Sequence, residues 1–435
     1  MIYNLTTSDL ALFKEYLLKS KSGDTIILSS DVKLLINESL KIPKGVILDG
    51  SGKKYGAGGA LISTTKEYPE LQYIALFTMY EGSTIKGLRL KGSNKEIWTH
   101  DKTKTSVSNL IKFEERRCSV INCELYDGDK WGIYALHPQD CLVDSCFIRG
   151  CKLAGYGYGV WMGERAGIWK NGLIQNCIFD NCRAAVDGNG GNISYTIRNN
   201  IFSPQQTYGV IARHGNVFGG GGHFVIDGNV VLNQTNKSLE IPTPWSDGSL
   251  TVKNNSFQRS VTIGDLKYPY SHSGITFENN TLTGFTPSLQ FSFKDNCFKP
   301  NNNINFSVQF NNEIIFEAPG GAYEDWRTIY IDLRKLVITG KTNTLSFSLN
   351  VKPGIYDNFF WLDNIKMFSQ NIINGSFEEG TLNGWRQTMT KGSGFGTRIV
   401  QEETFNGDFS YRWAFGNFSG FTGTSNATIT QTIKL

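Results

Sequence analysis

Asn122-Cys-Glu-Leu, Ser145-Cys-Phe-Ile, Asn176-Cys-Ile-Phe, Asn199-Asn-Ile-Phe, Gly228-Asn-Val-Val and Asn254-Asn-Ser-Phe fall into a column when the chain is written in rows. The rows start 23, 31, 23, 29 and 26 residues apart; Asn279-Asn-Thr-Leu follows 25 later and Gly87-Leu-Arg-Leu precedes them by 35. Imperfect repeats of this length mark a solenoid, in which each unit buries its apolar side only by stacking on the next. The units carry short β-type runs and no helical period, so a β-helix is predicted.

The cysteines follow the same rows. Cys118 and Cys141 are 23 apart, as are Cys123 and Cys146, while Cys146 to Cys177 and Cys151 to Cys182 are both 31. Cys123, Cys146 and Cys177 should therefore stack in successive coils, with Cys151 over Cys182, as small buried thiols. Disulfides and a metal site stay open as alternatives, although no Cys-x-x-Cys pair supports zinc.

Composition bounds the rest. In 435 residues, 19% are charged and 13% aromatic, with 47 glycines, which suits a β-rich chain with many turns. A net charge of +4 leaves no nucleic-acid footprint. No apolar run reaches about 18 residues, so no membrane span is expected. The opening Met1-Ile-Tyr-Asn-Leu has no signal-peptide pattern, which points to a trimmed chain or to export inside a virion.

In chain order, Ser8 to Ser20 places apolar residues at 10, 13, 17 and 18, one face of a helix begun by a Ser/Asp cap. Gly23-Asp-Thr-Ile-Ile-Leu then reads as a first strand. An open β-helix end exposes unpaired edges, and the helix is assigned the role of covering it. Residues 91–107, rich in Lys and Thr, read as a surface loop.

This opening, with Gly45-Val-Ile-Leu-Asp-Gly after it, resembles the right-handed parallel β-helix proteins of the pectate-lyase-like superfamily over residues 5–287. That family includes lyases, hydrolases, epimerases, viral tailspikes and adhesins, so the resemblance implies a fold more than a reaction. Past Pro287 the texture changes to longer alternating strands such as Leu289-Gln-Phe-Ser-Phe and Thr344-Leu-Ser-Phe-Ser-Leu. Asp325-Trp-Arg-Thr-Ile-Tyr-Ile-Asp-Leu and Phe360-Trp-Leu-Asp-Asn-Ile-Lys-Met resemble the closing half of a jelly-roll carbohydrate-binding module. Asn374-Gly-Ser-Phe-Glu-Glu-Gly and Ile429-Thr-Gln-Thr-Ile-Lys-Leu resemble its opening half. The reversed order implies a circular permutation, with the C-terminus ending beside Leu289, or else two partial modules. The expected architecture is all-β: a right-handed parallel β-helix (1–287) with an N-terminal capping helix, then a permuted jelly-roll sandwich (288–435). The module resemblance further implies a structural Ca2+ at Glu378 and Asp363, since oxygen ligands suit that ion.

A second strand aligns in each coil. Gly132-Ile-Tyr-Ala-Leu-His137 lies over Gly159-Val-Trp-Met-Gly-Glu164, then Ala184-Ala-Val-Asp-Gly-Asn189, then Gly209-Val-Ile-Ala-Arg-His214. Alternation makes Ile133, Val160, Ala185 and Val210 an inward column and puts Tyr134 and Trp161 on the outside as an aromatic step. His137, Glu164, Asn189 and His214 form a row at the strand ends, with Arg213 and Asp187 beside them. A lyase needs a base for the proton next to a uronate carboxylate, and a hydrolase needs two carboxyls. His214 or Arg213 serves as base in this reading, His137 as acid, and Glu164 with Asp187 as cation site or carboxyl pair. His137 and His214 lie three coils, about 14 Å, apart, so only part of the row can act together. Passive ligand contact or turn-making are the plainer roles for the same residues.

The resemblance is incomplete at the sites. The paired aspartates and Gly-His-Gly of polygalacturonase-like hydrolases are missing, with Arg213-His-Gly the nearest approach, and no aspartate cluster of the pectate-lyase kind is found. Tyr156-Gly-Tyr-Gly-Val, Arg183 with the following Gly191-Asn-Ile-Ser-Tyr, and Arg213-His-Gly resemble a pattern of archaeal β-helix proteins, which implies no particular reaction. In the second domain Trp326 and Trp413 are candidates for stacking on sugars, and Trp361 and Trp385 are equally suited to core or ligand. The leading function is recognition of a surface or extracellular polysaccharide, with cleavage by a lyase or hydrolase as its enzymatic form. The alternative is a non-enzymatic spike or adhesin on a cell or virion surface, where a homotrimer would be the assembly.

Overall fold

The computed structural model divides into two compact units, Met1–Gly284 and Phe285–Leu435. The description covers residues 1–69, 72–93, 106–136, 139–163, 169–188, 193–211, 221–241, 244–263, 274–282, 288–295, 301–320, 326–334, 336, 342–351, 358–367, 385–389, 395–400, 410–415 and 425–434.

Among the described residues of the first unit the chain visits three parallel sheets in turn, of eleven, ten and nine strands, once per coil. In the first sheet Val120, Val143, Ile174, Ile197, Ile226 and Val252 follow one another in register. Leu125, Ile148, Phe179, Phe202, Val231 and Phe257 do so in the second. All are buried in one continuous core. Full burial of each such side chain is worth roughly 1.5–3 kcal/mol, so stacking stabilises what no single coil could.

The row residue that recurs from Asn122 to Asn279 is the turn between the first two sheets. Asn122, Ser145, Asn176, Asn199, Asn254 and Asn279 all have φ between 52° and 58°, and Gly228 has 70°. This left-handed conformation is cheapest for Asn and Gly. The next residue points inward and bonds from coil to coil. Asn229 Oδ1 accepts the backbone N–H of Asn200 at 3.0 Å, and Asn255 Oδ1 accepts that of Asn229 at 2.9 Å. Their amide groups donate to the carbonyls of Ile197 and Ile226, both at 2.9 Å. In the earlier coils Cys123, Cys146 and Cys177 take this position, each thiol reaching a carbonyl at 3.0–3.2 Å. The two columns predicted from spacing are present, with Cys146 between Cys123 and Cys177 and Cys151 facing Cys182, and Cys118 faces Cys141 in the same way. The seven described cysteines are free and buried, and burial together with neighbouring thiols holds Cys146 well above the ordinary thiol range.

The helix is Leu10–Lys19, capped by Asp9, whose Oδ1 accepts the Leu12 N–H at 3.0 Å. It lays Phe13 and Leu17 on the core. Leu18, placed on the same face by the sequence reading, is instead 87% exposed. A strand that pattern reading missed, Ile2–Leu5, precedes the helix and pairs in parallel with Thr25–Leu28.

Among its described residues the second unit holds two five-stranded sheets. The first runs Arg327–Asp332, Ser288–Asp295, Asn358–Met367, Ser410–Phe415, Phe395–Val400; the second runs Glu313–Gly320, Asn301–Phe310, Thr342–Val351, Ser425–Lys434, Arg386–Met389. All pairs are antiparallel. Phe291, Phe293 and Phe360 of one sheet meet Phe306, Phe316 and Phe347 of the other. One expectation is corrected here. The last strand does not end beside Leu289, because Lys434 pairs with Thr342 in the second sheet while Leu289 pairs with Ile331 and Met367 in the first.

Candidate functional site

The third sheet carries the candidate site, and small residues shape it. Strands Trp131–Ala135, Tyr158–Met162, Ala184–Gly188 and Tyr208–Ile211 lie in register. A Cβ on Gly132 would lie 2.9 Å from Ile148 Cγ2, and one on Gly159 2.8 Å from Phe179 Cδ1. These glycines therefore face inward, directly before the inward Ile133 and Val160. Two consecutive inward residues turn both flanking side chains out. Trp131 and Tyr134 consequently stack on the outer face, ring centres 4.6 Å apart.

The register differs from the sequence alignment in one coil. Val160 pairs with Val186, which pairs with Val210, so Val186 takes the place in register that the sequence alignment assigned to Ala185, and Ala185, like the glycines before Ile133 and Val160, lies in the same core. A shift of one residue exchanges faces. Asp187 thereby enters the outward column, between Trp161 and Ile211.

The outward residues form a second apolar cluster of Trp131, Tyr134, Leu136, Tyr158, Trp161, Ala184 and Ile211, with Tyr73 and Tyr208 packed against it. Tyr134 and Trp161 do face away from the core, but they are only 2% and 4% exposed. The open aromatic step is thus corrected to a covered one. Tyr73, from the segment before the strand Phe77–Met79, stacks on Trp131 at 5.5 Å and leans on Tyr134 at 5.8 Å.

Cations line the edge where these strands begin. The Lys130 ammonium lies 4.6, 4.8 and 5.0 Å from the ring centres of Tyr73, Trp131 and Tyr156. Two coils on, the Arg183 guanidinium lies 5.7 and 5.6 Å from the rings of Tyr158 and Tyr208. Such contacts are worth about 0.5–2 kcal/mol, more as water is excluded. Tyr158 donates its hydroxyl to the Gly155 carbonyl at 3.0 Å. Burial, reinforced by the Asp187 charge, pushes its phenol well above the usual range, so it stays protonated. Asp187 is fully buried, and its Oδ1 accepts the Gly188 N–H at 2.7 Å.

Of the sequence-derived row, only Asp187 is described; His137, Glu164, Asn189, Arg213 and His214 lie outside the described residues. His223 is on the first sheet, exposed, with Nδ1 2.9 Å from Ser249 Oγ, and so does not belong to this face. In the second unit Trp361 and Trp385 are buried, Trp385 against Phe347 at 5.9 Å, and Trp326 is half-buried. The Trp413 side chain and Glu378 lie outside the described residues. Asp363 is fully buried in register with Ser292, whose hydroxyl bonds that of Thr328 at 2.9 Å. Oxygen donors suit calcium, but that ion takes six to eight. Among the described residues no group of three or more His, Cys, Asp or Glu side chains is poised for a metal.

Sequence reasoning missed Tyr73, Lys130, Trp131 and Tyr208, and it singled out Tyr158 and Arg183 only as parts of a family pattern, without a role. A signal was present. Lys130-Trp131, Gly157-Tyr158, Arg183-Ala184 and Thr207-Tyr208 stand just before the small inward residues of successive coils.

Residues 108–282 match the family described as the right handed beta helix region. No curated protein sequence matches the chain. Among solved structures it is similar to the alginate lyase AlyGC of the PL6 family, at 14% identity and TM-score 0.40, over 65% of this chain and 39% of that one. An alginate lyase from Paenibacillus sp. str. FPU-7 gives 16% and 0.34, over 65% and 99%. The phiAB6 tailspike, solved with oligosaccharides of Acinetobacter baumannii surface polysaccharide, gives 11% and 0.30, over 98% and 84%. The chain thus spans well under half the length of the PL6 lyase. With three parallel sheets wound coil by coil and this family match, the first unit is a right-handed β-helix.

Proposed function

We propose that this chain recognises an extracellular or virion-surface polysaccharide along the outer face of the third sheet. The observation that carries the reading is the double column of outward rings, Trp131 with Tyr158 and Tyr208, and Tyr134 with Trp161. Most of these rings are covered, and those open to the apolar side of a pyranose are the half-buried Tyr208 and the exposed Tyr156, which lies beside them over Lys130. In the enzymatic form of the proposal, lyase or hydrolase chemistry falls to His137, Glu164, Arg213 and His214, which follow these strands in sequence, with Asp187 in the wall. The rival reading is a non-enzymatic spike or adhesin, trimeric if a spike; the burial of Asp187, Tyr134 and Trp161 favours it. We also propose that the second unit is a carbohydrate-binding module, with Trp326 and Trp413 as sugar contacts and Asp363 and Glu378 as ligands of a structural calcium ion.

The test is a polysaccharide panel scored for binding and for product release, with wild type beside His214→Ala and Glu164→Ala. Binding with turnover lost in both variants supports the enzyme, and binding without turnover in wild type supports the adhesin. No binding by any polymer overturns the proposal.

A further inference from the structure

We propose that the groove between the N-terminal helix and the first strand of the third sheet binds a fatty carboxylate, an aliphatic chain bearing one negative charge. The site is separate from the polysaccharide face. Among the described residues Leu40–Ile42 ends the third sheet, and two further strands stand between it and Trp131–Ala135.

The groove follows from the way this end of the β-helix is closed. Leu40–Ile42 pairs on one side only, with Phe77–Met79. The Leu40 N–H donates to the Leu76 carbonyl at 2.8 Å, and the Ile42 carbonyl accepts the Tyr80 N–H at 3.2 Å. Alternate residues of a parallel pair turn their backbone groups to the same neighbour, so Lys41 turns its N–H and carbonyl to the open side. Pro43 then stops the strand, and an added strand would find no N–H there. The helix Leu10–Lys19 lies along this side instead. It lays Phe13 and Leu17 on the core and leaves Leu18 87% exposed. Between helix and strand remains a groove of about 610 Å³, with Leu17, Leu18, Leu40, Pro43 and Tyr80 as its apolar lining. Small-ligand sites span about 300–1,000 Å³, and the exposure of Leu18 means that this one is reached from solvent.

Charge selects the ligand's other end. The groove is also lined by Lys14, Lys41, Lys44 and Glu38. Lys14 is paired with Glu38, and the Lys44 ammonium lies 3.1 Å from Glu115. The Ser39 hydroxyl donates to the Ala75 carbonyl at 2.7 Å. Lys41 has no ionic partner among the described residues, and it is the residue whose backbone N–H faces the open side. One uncompensated cation beside an apolar wall suits one carboxylate on an aliphatic body. A sugar would find most of the polar side chains already bonded to one another.

The probe is decanoate below its micelle concentration, beside 1-decanol, decyltrimethylammonium and butyrate, with binding read by calorimetry on the full chain. Decanoate is expected to bind one per chain and at least tenfold more tightly than the other three. Lys41→Gln should weaken it about fivefold or more, and Leu18→Ser about tenfold. Leu35→Ser, at an exposed leucine outside the groove, should leave binding unchanged. All three positions are exposed, so the variants should fold, and near-UV dichroism checks that they do. No decanoate binding, equal binding of 1-decanol, undiminished binding in Lys41→Gln and Leu18→Ser, or equal loss in Leu35→Ser overturns the inference. Sedimentation covers the rival occupant: if the chain self-associates and Leu18→Ser alone makes it monomeric, the groove seats a second copy and the inference falls. None of these failures bears on the polysaccharide reading, which has its own panel.

Discussion

The Lys130 ammonium lies 4.6 Å from the centre of the Tyr73 ring, and this contact ties the covering segment to the edge of the third sheet. Tyr73 is also the ring stacked on Trp131. Tyr73→Ala should therefore uncover Trp131 and cost about 1–3 kcal/mol, a lost ring pair plus a cation contact. Acrylamide quenching compared in wild-type and Trp131→Phe backgrounds isolates the effect. Equal quenching with and without Tyr73 would show that the ring is not the cover.

The asparagine ladder sets a second expectation. Asn229→Ala removes the acceptor for Asn200 and the donor to Ile197, leaving buried groups unpaired at about 1–3 kcal/mol each. Asn229→Cys should cost less, because thiols hold the same ladder position at Cys123, Cys146 and Cys177. Denaturant melts rank the two variants, and the reverse order would refute the ladder's energetic role.

At Gly159 an added methyl would meet the Ala185 carbonyl at 2.6 Å and the Phe179 ring at 2.8 Å. Backbone cannot yield as a flexible side chain can, so Gly159→Ala should destabilise by roughly 1–3 kcal/mol. Gly155→Ala, where a Cβ would meet nothing, separates crowding from backbone strain: its φ of +85° leaves the conformational cost alone. A Gly159→Ala protein that melts with wild type would place this glycine outside the core.

Burial holds the Asp180 carboxyl above its ordinary value of 3.8, against the opposing pull of the Ser203 hydroxyl and the Arg149 and Lys152 charges. A carboxyl raised on folding binds its proton better in the native state, so stability falls as pH rises from the unfolded value through the folded one. Asp180→Asn should melt like wild type near pH 3.5 and progressively higher than wild type toward about pH 7. A constant difference across that range would mean the carboxyl is not raised.

Calcium provides a test in the second unit. If Asp363 and Glu378 hold the ion, EDTA lowers the melting temperature and added Ca2+ restores it, and Asp363→Asn abolishes both responses. An unchanged melt with EDTA removes calcium from the proposal.

The sequence made the solenoid legible because each coil must supply a left-handed turn residue and then an inward ladder residue, and few residue types satisfy either need. Asn122, Asn176 and Asn199 followed by Cys or Asn state that requirement directly. The thiol columns follow from the same spacing. The site was less legible. In Ala184-Ala185-Val186 two identical small residues make the alignment ambiguous, and a slip of one residue moved Val186 to the core and Asp187 to the outer wall.

Local chemistry thus determined, from sequence alone, that the chain winds as a β-helix and where each coil turns. Which outward rings are open, which are covered and which cations share an edge was decided only by tertiary structure. Tyr73 reaches Trp131 and Lys130 from two coils away in the chain, and Lys130 and Arg183 come into line through stacking. Neither relation has a period in the sequence, because side chains outside the core are selected by the partner they happen to meet and not by the repeat that places them.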